Sequence, residues 1–322
     1  MKNIHQKDIA DALGISLNTV SRALRDCPDI GEKTKKTVRD KANELGYIPN
    51  FISSFLASGR IRMISIVVYN LKNIYFALMA DSLIRHFSRL GYQCLLSACE
   101  KEKVGLEDVK LILASQCMGI ISLIEMDNKA VKLCAKRGVP VCLIGRTANQ
   151  ANISSFDSDD YQGGTLLAKE YIKGGFLRPC YLEPTIKGAV KRRLQGFRET
   201  LAKEGVRVRV YTHVYGKGMY AYFANQIRKN KNDFVFSYND EIAINVKRQL
   251  NNRSIIFYGF DGISERLSII SSINGLAVKW DEVVEDACSD LLRRMKDEKE
   301  ARVTIHKFYP MHLVENPSKK LN

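Results

Sequence analysis

A chain of 322 residues with 45% apolar side chains holds material for two or three domains with real cores. No apolar run approaches the roughly 18 residues that span a bilayer, and the start, Met1–Asp8, is too polar for a signal-peptide core, so a cytoplasmic protein without membrane partners is expected. The formal net charge of +15 points to a polyanionic partner, yet residues 1–62 carry 11 Lys/Arg against 7 Asp/Glu and the other 260 carry 39 against 28, so charge alone does not single out the N-terminus.

In Lys7–Gly14 the apolar Ile9, Ala10 and Leu13 make a one-sided helix that Gly14 stops. Ser16 is a good N-cap for a second helix, Leu17–Leu24, with Val20 and Leu24 on a buried face and Asn18 and Arg22 four apart on the open one. A third helix is expected from about Glu32 to Leu45, where Val38, Ala42 and Leu45 can close a three-helix core. This is a helix-turn-helix. Asn and Arg at that spacing suit a major groove, where Asn brackets adenine and Arg brackets guanine O6 and N7. The next stretch, Pro49–Gly59, carries Phe51, Ile52, Phe55 and Leu56 on one face of a short helix between two domains.

From Met63 strand-like and helix-like runs alternate. Strands are expected at Met63–Tyr69, Gln93–Ser97, Met118–Leu123 and Pro140–Gly145, then at Arg178–Leu182, Asp233–Tyr238 and Ser254–Asp261, with helices Thr165–Lys173 and Lys191–Glu204 among the connections. Short apolar strands separated by helices imply parallel sheets, here two doubly wound lobes with a cleft between them. The chain contains no GxGxxG, Walker or GxSxG motif. The eight cysteines form no CxxC pair and no His-clustered ligand spacing, so they read as reduced core residues, and neither metal nor cofactor is expected.

The run Ile9–Leu24, followed by Glu44–Asn50, resembles the DNA-binding headpiece of the LacI/GalR family of bacterial transcription regulators, without a gap from about Ile4 to Gly59. The remainder is similar, more loosely, to that family's effector domain, through Asn73–Phe76, Gly119–Ile121, Val141–Arg146, Asp159–Gly164, Arg193–Phe197, Tyr238–Asp240, Gly259–Asp261 and Leu313–Glu315. The resemblance implies an all-α helix-turn-helix headpiece (1–48), a hinge helix and linker (49–61) and a two-lobed, periplasmic-binding-protein-like α/β core. Its first lobe is expected at 62–158 plus about 282–307 and its second at about 159–281 plus 308–322.

The resemblance further implies DNA contacts by Ser16, Leu17, Asn18, Thr19, Ser21, Arg22 and Asn50, with Leu56 as a wedge in the minor groove when two hinge helices meet on DNA. Tyr75, Phe76, Arg193, Asn239 and Asp281 are expected to hold a small, sugar-like effector. The implied protein is a homodimeric, sequence-specific repressor of operator DNA, nucleoid-associated and not an enzyme. A solute-binding protein of the same core fold is the alternative, as is a regulator with a non-sugar or protein effector. The family's pattern is departed from at Ile74, at Phe176 and in the short loop Asn251–Ser254.

Overall fold

The computed structural model describes residues 4–47, 62–101, 103–148, 150–185, 191–252, 254–267 and 273–315, and the chain divides into two units, Met1–Ile61 and Arg62–Asn322. Asn50, Leu56 and the rest of the expected hinge helix lie outside the described residues.

The first unit has helices α1 (Gln6–Leu13), α2 (Leu17–Leu24) and α3 (Glu32–Glu44). Gly14 stops α1 at φ 63°, a left-handed conformation that costs glycine little, and Ser16 Oγ then accepts from Thr19 N at 3.0 Å to start α2. Ile9, Ala10, Val20, Ala23, Val38 and Ala42 form the buried centre, and Leu13, Leu24 and Leu45 pack half-buried around it. Fully burying a side chain such as Ile9 or Val20 contributes about 1.5–3 kcal/mol. The α2–α3 turn is held from α3: buried Lys35 reaches Asp26 at 3.1 Å and Glu32 at 2.8 Å, while Arg39 reaches Asp26 at 2.9 Å.

The second unit is built on two parallel sheets. The first holds β1 (Met63–Val68), β2 (Gln93–Ala98), β4 (Gly119–Ser122), β6 (Val141–Ile144), β7 (Ile153–Ser158) and β13 (His306–Tyr309), in the order β13-β7-β6-β4-β1-β2. The second holds β8 (Pro179–Thr185), β9 (Arg209–Val214), β10 (Phe234–Ser237) and β11 (Ile256–Tyr258), in the order β11-β10-β8-β9. Helices α4 (Ile74–Arg89), α5 (Leu106–Ala114) and α6 (Asn128–Lys136) connect strands of the first sheet, and α7 (Asp160–Gly174) leads from the first sheet to the second. Helices α8 (Arg192–Lys203), α9 (Met219–Asn230) and α10 (Asp240–Leu250) are the crossovers of the second sheet. After α11 (Ile263–Leu267), β12 (Gly275–Ala277) pairs antiparallel with β14 (His312–Val314), and between them run α12 (Trp280–Lys296) and α13 (Glu298–Ala301). The short strands β3 (Lys103–Val104) and β5 (Glu125–Met126) pair with each other.

Each face of the second sheet has its own helices. Alternating side chains send Tyr181, Phe234 and Phe236 into the core with α7 and α8, and Cys180, Leu182 and Val235 into the core with α9 and α10. Strands β7 and β9 had no counterpart in the sequence reading. Ile153–Ser158 is rich in serine and Arg209–Val214 is flanked by charge, so neither shows the continuous apolar run of its buried neighbours. Helix α7 starts earlier than the expected Thr165, because Asp159 caps it by accepting from Gln162 N at 3.1 Å. All eight cysteines are free, and all but Cys27 and Cys94 are buried. Among the described residues no helix is long and apolar enough to cross a membrane.

Candidate functional site

A cavity of about 270 Å³ lies where the two sheets' strands end. Tyr69 and Asn70 follow β1, Gly145 and Arg146 follow β6, and Ser158 ends β7. From the second sheet, Thr185 ends β8, Tyr215 follows β9, Tyr238 and Asn239 follow β10, and Phe260 and Asp261 come after β11. Parallel α/β sheets place ligands at such carboxyl ends.

The first lobe's wall is aromatic. Asn73 caps α4 by accepting from Tyr75 N at 3.0 Å, leaving Ile74 exposed at the first helical position, where proline also fits. Tyr75 packs edge-on against Phe76 at 5.3 Å and Trp280 at 5.4 Å between ring centroids. Its hydroxyl occupies the space a side chain at residue 145 would need: a Cβ on Gly145 would stand 2.6 Å from Tyr75 Oη.

The second lobe's wall depends on close backbone approaches. A Cβ on Gly164 would stand 2.1 Å from the carbonyl oxygen of Arg193, and one on Gly196 would stand 2.1 Å from that of Tyr161, so α7 and α8 cross with their backbones in contact. That crossing brings Arg193 onto Asp160, with Nε donating to Oδ2 at 3.0 Å. Arg193 Nη1 also donates to the Tyr238 carbonyl at 2.7 Å, and the guanidinium lies 3.5 Å above the Phe260 ring. Burial works against its charge, but Asp160, Tyr238, Tyr181 and Asp261 more than offset this, and its pKa is raised. Ser158 Oγ donates to the other oxygen of Asp160.

Gly259 permits a third close approach, since a Cβ there would strike Asp240 Oδ1. Asp240 accepts from Ile263 N at 2.7 Å and Asp261 N at 3.3 Å, and so fixes the segment bearing Asp261. Asp261 Oδ2 is buried with no hydrogen-bond partner. Burial, and then the neighbouring Asp240, push the Asp261 carboxyl up to about 7 against the pull of Arg193. Burial likewise raises Asp240 to about 6, opposed by its backbone donors, and burial followed by Asp160 raises Asp157 to about 6.

Tyr75, Phe76, Arg193 and Asn239 all line the cavity. Asn239 is also the N-cap of α10, its oxygen accepting from Ile242 N at 3.0 Å, so its amide NH2 is what it can offer a ligand. Asp281 is not brought there. Helix α12 begins at Trp280, which is buried against the cavity with Nε1 donating to the Asp261 carbonyl at 3.2 Å, and one residue further round the helix Asp281 faces solvent. The buried carboxylates of this site are Asp160, Asp240 and Asp261, none of which the sequence reading assigned to ligand binding. Their signal was position, at the end of a strand in a parallel sheet. Among the described residues no group of three or more His, Cys, Asp or Glu side chains could hold a metal ion.

On α2 of the first unit, Leu17 is 51% exposed, Asn18 is exposed, and Ser21 and Arg22 are half-buried. Ser16 and Thr19 share a hydroxyl–hydroxyl bond of 2.8 Å at the helix start. Arg22 is paired with Asp29, a partner that sequence spacing did not disclose.

A helix-turn-helix unit joined in one chain to a two-lobed α/β core with a polar-aromatic cleft is the architecture of a DNA-binding transcriptional regulator. Residues 6–50 match the bacterial regulatory proteins of the lacI family, and residues 62–278 match the periplasmic binding proteins and sugar binding domain of LacI family. The chain belongs to the LacI family. The HTH-type transcriptional regulator DegA of Bacillus subtilis is 26% identical over 207 residues, a stretch covering 62% of this chain and 61% of DegA. Catabolite control protein A of Staphylococcus aureus strain Mu50 is 26% identical over 299 residues, 90% of this chain and 87% of that protein. These relatives are transcriptional regulators and not enzymes. The same fold occurs in the lac repressor dimer bound to operator and the anti-inducer ONPF, with a TM-score of 0.81, 19% identity and 98% of each chain covered. It occurs also in the transcriptional regulator CelR–cellobiose complex, with a TM-score of 0.65, 19% identity, and 98% of this chain and 99% of that one covered.

Proposed function

We propose that the chain is a homodimeric, sequence-specific repressor, acting on DNA in the cytoplasm, whose grip on its operator is set by an uncharged sugar or sugar derivative bound between the two lobes. The observation that carries the ligand class is the unpartnered, buried Asp261 Oδ2 in a cavity walled by Tyr69, Tyr75, Phe76 and Trp280. A sugar hydroxyl supplies the missing donor, and a ring's apolar face covers an aromatic wall. Arg193 and Asn239 add donors. Two of the three cations lining the cavity already have acidic partners, Arg193 with Asp160 at 3.0 Å and Lys103 with Glu125 at 2.6 Å, which favours an uncharged ligand over a phosphorylated one. That CelR is known as a cellobiose complex and the lac repressor as an operator-bound dimer favours the same arrangement here.

On the DNA side, Leu17, Asn18, Ser21 and Arg22 read base edges in the major groove, and Ser16 and Thr19 serve phosphates at the start of α2. Asn50 and Leu56 extend the contact into the minor groove, with Leu56 as the wedge. The helix-turn-helix match over residues 6–50 favours this reading over a solute-binding protein.

Selection from random duplexes identifies the operator, and Trp280, the chain's single tryptophan, reports cavity occupancy by fluorescence. A neutral mono- or disaccharide is expected to shift Trp280 emission and change operator affinity together. Response to sugar phosphates alone overturns the ligand class, and failure to enrich any sequence overturns the repressor reading.

A further inference from the structure

We propose that the end of the second lobe opposite the cavity is a docking surface for the phosphate backbone of duplex DNA, distinct from the helix-turn-helix. Residues 178–253 carry 16 Lys/Arg against 6 Asp/Glu, so less than a quarter of the chain's length holds most of its net charge of +15. Topology sorts this charge. Strands β8 to β11 run parallel, so the crossover helices run back against them, and the helix C-termini gather with the strand N-termini at the end away from the cavity.

Arg207 and Arg209 stand at the start of β9, Arg228, Lys229 and Lys231 at the end of α9, and Arg248 at the end of α10. All six are exposed. Two hydrogen bonds join them into one band: Arg209 Nη1 donates to Asn230 Oδ1, and Arg228 Nη2 donates to the Gln249 carbonyl at 2.7 Å. Both acceptors are uncharged. Among the described residues none of the six forms a salt bridge. The nearby acids are Glu204, at the end of α8, and Asp233, at the start of β10, which accepts the backbone N–H groups of Leu177 and Arg178, each at 2.9 Å; neither forms a salt bridge with the six.

Cations at helix C-termini have an ordinary role in balancing the helix dipole. Two helix ends supply roughly half a negative charge each, which leaves most of this band uncompensated. A surface holding six cations together against two nearby acids is matched by a partner with densely spaced negative charge. A folded protein partner needs an apolar centre to its interface. Here the exposed apolar side chains at this end, Ile172 and Leu177, belong to the α7 side of the sheet, away from the α9–α10 band. Duplex DNA needs no such centre, since it carries about one phosphate per 1.7 Å of axis and is bound by charge and counterion release. Such a surface lets an operator-bound protein hold a second DNA segment, or keeps free protein close to the chromosome.

The test uses the full chain and a fluorescent random-sequence duplex of about 30 base pairs, with anisotropy measured from about 50 to 200 mM NaCl. The band variant carries Arg207→Glu, Lys229→Glu and Arg248→Glu. A charge-matched control carries Lys129→Glu, Lys132→Glu and Lys136→Glu on α6 of the other lobe. The band variant is expected to lose at least about tenfold in affinity at the lowest salt, and its log–log salt slope to fall by about 3, while the control keeps the parental slope. Where charge reversal compromises folding, judged by thermal melting, the corresponding Gln variant is used, with the same slope change expected. Equal slopes in the band variant and the parent, or equal losses in band variant and control, overturn the proposal. So does binding of polyglutamate or phosphatidylglycerol vesicles through these residues while the duplex slope stays unchanged.

Discussion

Replacing Gly164 with alanine tests whether the helix crossing makes the site. The added Cβ would stand 2.1 Å from the Arg193 carbonyl oxygen and 2.8 Å from Phe197 N, both backbone atoms that no rotamer change can move. Helices α7 and α8 must therefore part by about 1 Å before ordinary contact distances return. That movement stretches the 3.0 Å bond between Arg193 Nε and Asp160 beyond hydrogen-bonding range. Overpacking costs about 1–3 kcal/mol and weakening the charged hydrogen bond about 1.5–3, while alanine's better helix propensity returns about 1, so a net loss of about 1.5–5 kcal/mol is expected. Gly163→Ala in the same helix is the control. Its Cβ meets Met311 Sδ at 2.5 Å and Phe260 Cε2 at 3.3 Å, side-chain rather than backbone atoms, and an unbranched thioether can adjust its rotamer, so the loss there is expected to be smaller than at Gly164. Urea unfolding followed by Trp280 fluorescence measures both. If Gly164→Ala is no less stable than Gly163→Ala, the close crossing is not what seats Arg193.

Asp261→Asn should reveal the strained carboxylate. Because its folded pKa is raised to about 7, the folded state binds the proton more tightly, so this group's contribution falls as pH rises from about 4 to 7. The variant should therefore melt higher than the parent at pH 8, with the gap closing towards pH 4, and thermal melts at several pH values check it. A sugar that donates to the ionised carboxylate should bind more tightly as pH passes upward through 7 in the parent but not in the variant, as read by Trp280 titration. Arg22→Ala should cost about 1–3 kcal/mol on the selected operator and much less on random duplex, whereas Asp29→Asn, breaking an exposed ion pair, should change stability by less than about 1 kcal/mol. Leu56→Ala should reduce operator bending in an energy-transfer assay and shrink the preference for operator over random DNA; a parental bend makes the hinge a spacer.

The first unit was legible because its determinants are local. Helix period, the Gly14 stop and the Ser16 cap act within one or two turns, so the sequence alone places α1 to α3 almost to the residue. The cavity was legible only in part. Arg193, Asn239, Tyr75 and Phe76 came from family resemblance, yet what makes Arg193 a site residue is Gly164 on another helix, a long-range contact that no local pattern encodes. The position of Asp281 outside the cavity has a simple geometric cause. Successive residues on a helix differ by about 100° in direction, so at the start of α12 Trp280 forms cavity wall while Asp281 faces solvent. Asp29 was missed because the ion pair joins the end of one helix to a loop beyond its next turn.

The connections between the lobes explain how occupancy of so small a cavity could act at a distance. The chain leaves the first sheet at Ser158, and Asp159 N, the next residue, donates to the carbonyl of Tyr309 at 2.9 Å, where β13 ends. Gln162 then holds the link between β13 and β14: its Nε2 donates to the Met311 carbonyl at 3.3 Å and its Oε1 accepts from Met311 N at 2.9 Å. Asp160, between these two anchors, is also the partner of Arg193. A ligand drawing on Arg193, Asp261 and the Tyr75 wall therefore touches both lobes and one of the segments that join them. It can shift the lobes only by binding one arrangement more tightly than the other. A coupling of about 1–3 kcal/mol, typical of such systems, changes DNA affinity about 5- to 150-fold. One or two hydrogen bonds to buried charged groups, at about 1.5–3 kcal/mol each, supply that difference if only the closed arrangement lets them form. On this argument the donor that completes Asp261 Oδ2 is the ligand group that matters most. A sugar lacking that one hydroxyl should still bind through the aromatic wall, moving Trp280 emission, while leaving operator affinity unchanged; if it alters operator affinity as fully as the complete sugar does, the coupling does not run through Asp261.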